Sequence, residues 1–149
     1  MWGAGGLIVM FVAAIGISAV MQAVQPPSHI ETIDPATLAD HPEFGDPQAH
    51  TTADGKVVVP VVAELFQFRP DPIEVPVNMP ITFRITSGDV IHGFEIVGTN
   101  ANAMAIPGYV SQFTLSFSRA GEYDIVCNEY CGLLHHGMVG KLIVRGEQP

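Results

Sequence analysis

A twelve-residue stretch near the C-terminal end, residues 127–138, constrains the fold of this chain more than any other part of the sequence. It carries both cysteines of the protein together with His135, His136 and Met138, in the spacing Cys-x3-Cys-x3-His-x2-Met. Thiolate, imidazole and thioether groups are soft ligands, which suit copper better than calcium or magnesium. The rest of the chain must fold so that these side chains meet around one point.

The sequence on both sides of this stretch has the pattern of short β-strands. In residues 81–86 apolar side chains alternate with polar ones, and residues 113–118 alternate in the same way. Alternation with a period of two is typical of a strand that has one buried face. Pro and Gly separate six to eight such runs, and no helix is predicted among them. The pattern predicts a mainly β fold, a Greek-key β-sandwich or barrel, over residues 56–149.

Three local predictions accompany this fold. Pro60 interrupts an apolar run and favours an edge strand or a bulge there. Residues 100–109 contain Gly and Pro and are predicted to form a loop. The strands that end at Cys127 and begin near Gly140 are expected to be neighbours, so that residues 127–138 form the loop between them. A loop held at both ends by a sheet can fix several ligands.

The charge of the protein is confined to its later part. Residues 1–28 contain no Asp, Glu, Lys or Arg, so the formal net charge of -9 belongs to the remainder. That remainder is acidic enough to repel nucleic acid and to attract a basic protein partner. A charge that serves only solubility is the alternative, and the sequence leaves it open.

Residues 3–24 form an uncharged apolar run near the N-terminus. As a helix, 22 residues would span roughly 33 Å, enough to cross a bilayer core with some tilt. Trp2 fits an aromatic anchor at the membrane interface. We therefore predict a transmembrane anchor over residues 1–25. A cleaved signal peptide is the alternative, although no basic region precedes the run.

Residues 26–55 are rich in Pro, Asp, His and Thr and are predicted to be a linker laid over the surface. One short helical turn is expected around residues 35–39. The linker also contains His29, His41 and His50 at irregular spacing. We interpret them as exposed linker histidines, with a metal cluster as the weaker alternative.

A further ligand for the twelve-residue stretch is expected from a different part of the chain. His92 lies in a separate β segment, and a distant histidine with a Cys…His…Met loop is the arrangement of a cupredoxin copper site. A mononuclear copper site of this kind needs one cysteine. A second thiolate allows two metals to be bridged, which favours a dinuclear centre for rapid electron transfer. A Cys127–Cys131 disulfide and a structural zinc site are the alternatives, but neither uses Met138.

These two motifs together resemble a known family. The pattern Cys-x-Glu-x-Cys-x3-His-x2-Met, with Asp-Val-Ile-His upstream, resembles subunit II of haem-copper terminal oxidases (cytochrome c oxidase). With one N-terminal apolar run rather than the commoner two, the sequence looks most like the B family of ba-type enzymes. That subunit has a cupredoxin-like domain and carries the dinuclear copper A centre. The resemblance implies two copper ions held by the side chains of His92, Cys127, Cys131, His135 and Met138 and by the backbone carbonyl of Glu129.

The resemblance also implies partners and a location. It implies an oxidase subunit I that bears haem and reduces oxygen to water, and cytochrome c or a small copper protein as electron donor. It implies a single-pass protein of a prokaryotic cell membrane, with the N-terminus inside and the copper domain on the outer face. A magnesium ion beside the Glu129 side chain at the subunit I interface is a further implication. We weigh it against a carboxylate that serves only as surface charge or hydrogen-bond acceptor.

The sequence departs from the family in its aromatic residues. The family often has a tryptophan-rich stretch where electrons arrive, whereas the single tryptophan here is Trp2. Phe66 and Phe68 are the nearest substitutes, and core packing is expected for at least one of them. Two other functions are considered. A copper A domain like that of nitrous oxide reductase would need a large propeller domain, for which 149 residues leave no space. A membrane-anchored copper-delivery protein would need exchangeable ligands and rarely two bridging cysteines.

Overall fold

The computed structural model describes residues 2–21 and 31–146. His29 and the side chain of Trp2, which the sequence singles out, lie outside this description. The first element is a single uncharged helix, α1, at Trp2–Met21. Its residues 3–21 are long and apolar enough to cross a membrane, and none of them is buried against the rest of the chain. Membrane anchors and signal sequences share these properties.

The remaining described residues form eleven β-strands and two short 3-10 helices. The strands are β1 Glu31–Thr32, β2 His50–Thr51, β3 Val57–Glu64, β4 Gln67–Arg69, β5 Ile73–Pro76, β6 Pro80–Ser87, β7 His92–Ile96, β8 Asn102–Ala105, β9 Tyr109–Ser116, β10 Gly121–Val126 and β11 Val139–Arg145. The 3-10 helices are Pro35–Asp40 and His135–Gly137.

The strands form two mixed sheets. One has the order β1-β9-β6-β3-β2, with β4 also paired to β3, and the other has the order β5-β11-β10-β7-β8. Their inner faces share one core to which both sheets contribute, including Ile81, Phe83 and Ile85 from β6 and Phe94 and Ile96 from β7. The predicted alternation of β6 is confirmed, because the apolar set is fully buried. The mainly β sandwich is confirmed as well.

Two details of the predicted strands were wrong. Val57–Glu64 is one uninterrupted strand that pairs with β6 over residues 57–63, so Pro60 marks neither a bulge nor a strand that is at the edge of the sheet along its whole length. On its other side, β2 pairs with residues 57–58 and β4 with residues 62–64, which leaves a gap beside Pro60. A residue without an N–H group is tolerated at such a gap. Residues 100–109, predicted as a loop, contain β8, which pairs with β7.

The segment predicted as a surface linker is attached to the sandwich more closely than expected. The helical turn around residues 35–39 is confirmed as the 3-10 helix, with its first turn capped by Asp34. Leu38 and Phe44 are buried in a small second core against Val62 and Val110. His50 is exposed, whereas the His41 ring accepts hydrogen bonds from the backbone N–H groups of residues 43 and 44. Neither histidine joins a metal cluster among the described residues.

Arg84 fastens this segment to β6. Its guanidinium donates two hydrogen bonds to Glu31, at 2.8 and 2.9 Å, and two to Glu43, at 2.6 and 2.9 Å. It also lies 5.9 Å from the centroid of the Phe44 ring. The hydrogen bonds to Glu31 and Glu43 raise the pKa of Arg84, and those from Arg84 lower the pKa of Glu31.

We expect Arg84→Met to destabilise the metal-free chain by about 2 kcal/mol at pH 7, because it leaves two carboxylates without their partner. The cost stays below the 3–5 kcal/mol typical of a buried pair because Glu31 is partly exposed. Since the folded-state pKa of Glu31 is lowered, its contribution is present above its unfolded value and is lost as pH falls through the folded value. The difference between the two proteins should shrink below about pH 4. Urea unfolding in detergent, followed by circular dichroism, measures it.

Lys141→Met is the matched control, because Lys141 forms an exposed ion pair with Asp124. Exposed pairs contribute little, so this variant should unfold almost like the unchanged chain. Equal effects of the two substitutions would contradict a special role for Arg84.

Candidate metal centre

Two adjacent strands hold the loop that carries the sulfur ligands. β10 ends at Val126 and β11 begins at Val139, and these two residues are paired in the antiparallel ladder. Beyond them, the backbone N–H of Cys127 donates to the carbonyl of Met138 at 3.2 Å. The first and last ligand-type residues of the loop are therefore fixed by the sheet. The predicted position of this loop, between two neighbouring strands, is confirmed.

The loop turns its sulfur atoms towards one another. The Sγ atoms of Cys127 and Cys131 are 3.7 Å apart, and the Sδ of Met138 lies 3.8 Å from Cys131 Sγ. A disulfide bond would require about 2.05 Å between the sulfurs, and both cysteines are free. Cys127 and Cys131 are each 7% exposed and Met138 is 1% exposed. The three sulfurs form a compact, nearly buried group.

One imidazole stands beside each cysteine. The Nδ1 of His92 is 4.0 Å from Cys127 Sγ, and the Nδ1 of His135 is 3.6 Å from Cys131 Sγ. His92 comes from the start of β7 and is fully buried, whereas His135 belongs to the 3-10 helix inside the loop. His136, the other histidine of the loop, is exposed. The ligand-type atoms of His92, Cys127 and Cys131 all lie within 4.8 Å of one another.

Asp89 holds the His92 ring from the other side. The Nε2 of His92 forms a 2.7 Å hydrogen bond with Asp89 Oδ1, which leaves Nδ1 directed towards the sulfur atoms. Burial opposes the ionisation of Asp89, but hydrogen bonds from His92 and from the backbone N–H groups of Val90 and Leu65 outweigh it, so its pKa lies below the ordinary value. A carboxylate that orients a histidine in this way is common behind metal ligands.

Glu129 contributes a backbone atom to the group. Its carbonyl oxygen accepts a hydrogen bond from the Cys127 thiol at 3.1 Å, while the residue itself is exposed.

The Cys131 thiol has a raised pKa. Burial is the main cause and the neighbouring Cys127 the next, and together they raise the pKa to about 11. Without a metal the thiol is therefore protonated at neutral pH, and a metal would displace the proton.

The donor set fits a dinuclear copper centre better than one zinc ion. Two thiols lie between two imidazoles, and a thioether and a carbonyl oxygen add two weaker donors on the same group. A structural zinc site uses four ligands and no thioether. These six donors, two of which are the paired thiols, exceed what a single four-coordinate ion needs, and soft donors select copper.

Phe66 and Phe68, the two phenylalanines that the sequence suggests for the copper edge, have different surroundings in the structure. Phe68 is buried in the core, as expected for at least one of them. The ring of Phe66 lies against Gly132, where a Cβ atom would come within 3.2 Å of it. Gly132 has φ +137°, a backbone conformation that favours glycine. Phe66 therefore packs against the loop at Gly132, and Tyr130, within the loop, lies edge-on to the His135 ring at 5.8 Å.

The structure adds residues to which the sequence analysis gives no role. Asp89 belongs to the Asp-Val-Ile-His motif, and its position three residues before His92 is the only sequence signal for it. Asn128 and Gly93 directly follow Cys127 and His92, and their contact could not be read from the sequence. Hydrogen bonds between distant segments leave no periodic pattern in a sequence.

The chain matches a family described as the periplasmic domain of cytochrome c oxidase subunit II, over residues 62–145. A cytochrome c oxidase subunit 2 of Thermus thermophilus is 44% identical over 124 residues, which covers 82% of this chain and 92% of the relative. A second cytochrome c oxidase subunit 2 from the same species is 40% identical over 150 residues and covers 97% of this chain and 89% of the relative.

Solved structures agree with these relatives. A chain from the cryo-EM structure of a haem-copper terminal oxidase dimer has a TM-score of 0.61 and 27% identity, with 97% of this chain and 100% of that one covered. The periplasmic domain of cytochrome oxidase subunit II from Bradyrhizobium japonicum has a TM-score of 0.57 and 20% identity, with 68% and 88% covered, and supports the fold alone. The match over residues 62–145 spans His92 and the whole loop of residues 127–138, which we call the sulfur loop. The second Thermus relative aligns with nearly the entire chain. This protein therefore belongs to the cytochrome c oxidase subunit II family.

Proposed function

We propose that this chain is the subunit through which electrons enter a terminal oxidase, by way of a dinuclear copper A centre. The observation that carries the proposal is the pair of free thiols 3.7 Å apart, each with an imidazole nitrogen within 4.0 Å. Two bound copper ions would supply a one-electron carrier. The chain itself breaks no substrate bond. Its motifs favour the ba-type B family as its subgroup, and so does the one apolar helix that the described residues contain.

The proposed ligands are the side chains of His92, Cys127, Cys131, His135 and Met138 and the backbone carbonyl of Glu129. The protein contributes stiffness to the centre. The β10–β11 ladder fixes the two ends of the loop, and Asp89 fixes the His92 ring. Ligands that are held before and after electron transfer move little, so the reorganisation energy stays low and electrons pass quickly.

Copper titration of the full-length metal-free chain in detergent tests this function. We expect two copper ions per chain, a purple colour, and an EPR signal from one unpaired electron shared by both ions. A blue mononuclear spectrum, a preference for zinc, or no uptake of copper would contradict it. A rapid loss of copper to a chelator would instead favour a copper-delivery protein, because delivery sites must exchange their metal.

Replacing Met138 by leucine should shift the reduction potential while two copper ions stay bound. Met138 is 1% exposed and its sulfur faces Cys131, so leucine fills the same space without the weak thioether donor. Redox titration followed by visible absorption measures the shift. Met104→Leu is the control, because Met104 lies on β8 at the surface. Loss of one copper ion from the Met138 variant would show that the thioether is needed for binding itself.

The proposed partners are a haem-bearing subunit I and a small electron donor, either cytochrome c or a copper protein. Three exposed apolar side chains lie on the loop, and two more lie beside Gly132 and directly before His92; we name this set the apolar rim: Tyr130, Leu133, Leu134, Leu65 and Ile91. Leu133 is 88% exposed, and Glu129 is the single Asp, Glu, Lys or Arg residue within residues 127–138. The acidic charge of the chain therefore lies mostly elsewhere. The rim favours apolar docking of the donor, with Phe66 as the aromatic side chain at the copper edge.

We expect electron transfer from a basic cytochrome c to the assembled oxidase to change by less than about threefold between low and high salt. Docking steered by charge would change it tenfold or more.

Leu133→Gln should slow the second-order rate by about 5–30-fold, as expected for an exposed anchor of an interface. Stopped-flow absorption measures both effects. Val97→Gln is the control, because Val97 is exposed beyond the opposite end of β7.

The proposed location is the outer face of a prokaryotic cell membrane, with α1 as a single retained span. The match to a periplasmic domain and the uncharged N-terminal helix support it. Intact-mass spectrometry of the mature protein tests the anchor. A chain that begins near residue 24 would show that the helix is removed as a signal sequence.

The side chain of Glu129 is proposed to be an acceptor at the subunit I interface, since it is exposed beside the loop. Magnesium at this carboxylate is the alternative, and one carboxylate is a weak site for it. Metal analysis of the oxidase with Glu129→Gln separates them. A loss of one magnesium ion per complex would support the metal site.

A further inference from the structure

Two residues that directly follow metal ligands interlock with each other. Gly93 follows His92, and Asn128 follows Cys127. A Cβ atom on Gly93 would lie 1.8 Å from Asn128 Oδ1 and 2.8 Å from its backbone nitrogen. Real Cβ atoms do not come this close to another atom, so the Asn128 side chain occupies space that only glycine leaves free.

The Asn128 side chain also ties the loop to two strands. Its Nδ2 donates to Glu95 Oε2 at 3.1 Å and to Asn102 Oδ1 at 3.2 Å. Glu95 on β7 and Asn102 on β8 are themselves paired across the ladder. The amide therefore holds the first loop residue after Cys127 to both strands of this corner of the sheet.

This contact lies where the backbone ladder stops. β10 and β7 are paired only at Ile125 with Ile96 and at Val126 with Glu95. The ladder includes neither Cys127 nor His92, whose ligand atoms lie 4.0 Å apart. Its last pair, Val126 with Glu95, lies one residue before Cys127 and three residues after His92, and two further residues along the same register Asn128 would face Gly93. The Asn128 side chain therefore adds a connection between the two strands at the point where the ladder ends.

We infer that Asn128 is the positioning residue that sets the distance between Cys127 and His92, and that Gly93 provides the space it needs. Asn128 does not touch a metal; it acts through the backbone of the neighbouring cysteine. The inference rests on the proposed function for its effect on copper. Its effect on the metal-free chain does not depend on that function.

The test uses the full-length chain in detergent with Asn128→Ala. In the copper-loaded protein we expect two copper ions to be retained, with a shifted reduction potential and altered visible and EPR spectra. In the metal-free protein we expect alkylation of Cys127 by iodoacetamide to become about tenfold faster, because two hydrogen bonds are lost. Fragment-ion mass spectrometry distinguishes Cys127 from Cys131, whose rate should change less.

Three further variants assign the cause. Gly93→Ala should displace Asn128 and alter the spectra and the Cys127 rate in the same direction. Gly146→Ala adds a methyl group where the nearest atom is 3.8 Å away, and it should change neither. Glu95→Gln keeps an acceptor for Asn128 but removes the charge, so it should leave the spectra and potential close to those of the unchanged protein.

The outcomes separate the two proposals. An unchanged potential, spectrum and Cys127 rate in Asn128→Ala would overturn the positioning role. A potential shift that Glu95→Gln reproduces would also overturn it, because the charge of Glu95 would then be the cause. If the unchanged chain binds no copper pair, the proposed function fails, while the alkylation rates still decide the role of Asn128.

Discussion

Replacing Cys131 by serine is expected to abolish the dinuclear copper centre and to lower electron transfer to the oxidase haem by at least about a hundredfold. Cys131 lies at the centre of the candidate site. Its Sγ atom is 3.7 Å from Cys127 Sγ, 3.6 Å from His135 Nδ1 and 3.8 Å from Met138 Sδ. A serine oxygen is a hard donor that keeps its proton at neutral pH, so it would hold soft copper ions poorly. Substitutions of residues behind metal ligands already lower metal affinity or activity 10–100-fold in many sites, and we expect the loss of one of the two thiols to lower them further.

Copper content, the EPR spectrum and the turnover of the assembled oxidase measure this effect. Unfolding of the metal-free variant provides the control, because serine replaces a small thiol that is 7% exposed and should leave the sandwich folded. Cys127→Ser should behave in the same way, since Cys127 is the other half of the thiol pair. A Cys131→Ser protein that keeps two copper ions and one shared electron would contradict the proposed site.

The sequence predicted the parts of this structure that depend on local patterns. The alternation in β6 placed Ile81, Phe83 and Ile85 on the buried face, and all three are fully buried. The strand patterns on both sides of residues 127–138 placed this loop between the last two strands, where β10 and β11 are indeed paired. Both signals lie within a dozen residues of sequence, so no knowledge of distant partners was needed.

The features that the sequence did not predict depend on partners that are distant in sequence. β8 contains only Asn102, Met104 and two alanines, a composition with low β propensity, and it is a strand because β7 pairs with it. Pro60 fits inside β3 because the neighbouring strands leave a gap at that point. Arg84 looked like an ordinary outward residue of an alternating strand, yet it binds two carboxylates 41 and 53 residues away.

The same distinction applies to the site. The side chains of the sulfur loop and His92 could be proposed from residue type and spacing alone. Their orientation could not, because the partners that impose it are a carboxylate for His92 and an amide beside Cys127. Glu95 and Asn102 are 33 and 26 residues from Asn128, and neither carries a recognisable motif. The identity of the proposed ligands is therefore encoded locally, whereas the orientation of their side chains depends on contacts between distant segments.

Phe94→Ala should destabilise the metal-free chain by about 3–5 kcal/mol, the largest stability effect that we expect from a single core substitution. Phe94 is fully buried, and its ring lies edge-on to Phe68 at 5.5 Å and tilted against Phe83 and Phe113 at 6.1 and 6.2 Å. Alanine would leave a cavity among three aromatic rings that are held by neighbouring strands. Such a loss is a large share of the 5–15 kcal/mol by which most domains are stable.

Phe66→Ala is the matched control for this prediction, because it removes the same atoms from a ring that is only half-buried beside Gly132. Urea unfolding in detergent, followed by circular dichroism, should show a clearly smaller loss for Phe66→Ala. Phe94 lies two residues after His92 on β7, so both side chains point to the same face of the sheet. Copper that binds only the folded chain should therefore recover part of the lost stability of Phe94→Ala. Equal costs for the two phenylalanines would contradict the prediction that Phe94, packed among three aromatic rings, contributes more to stability than Phe66.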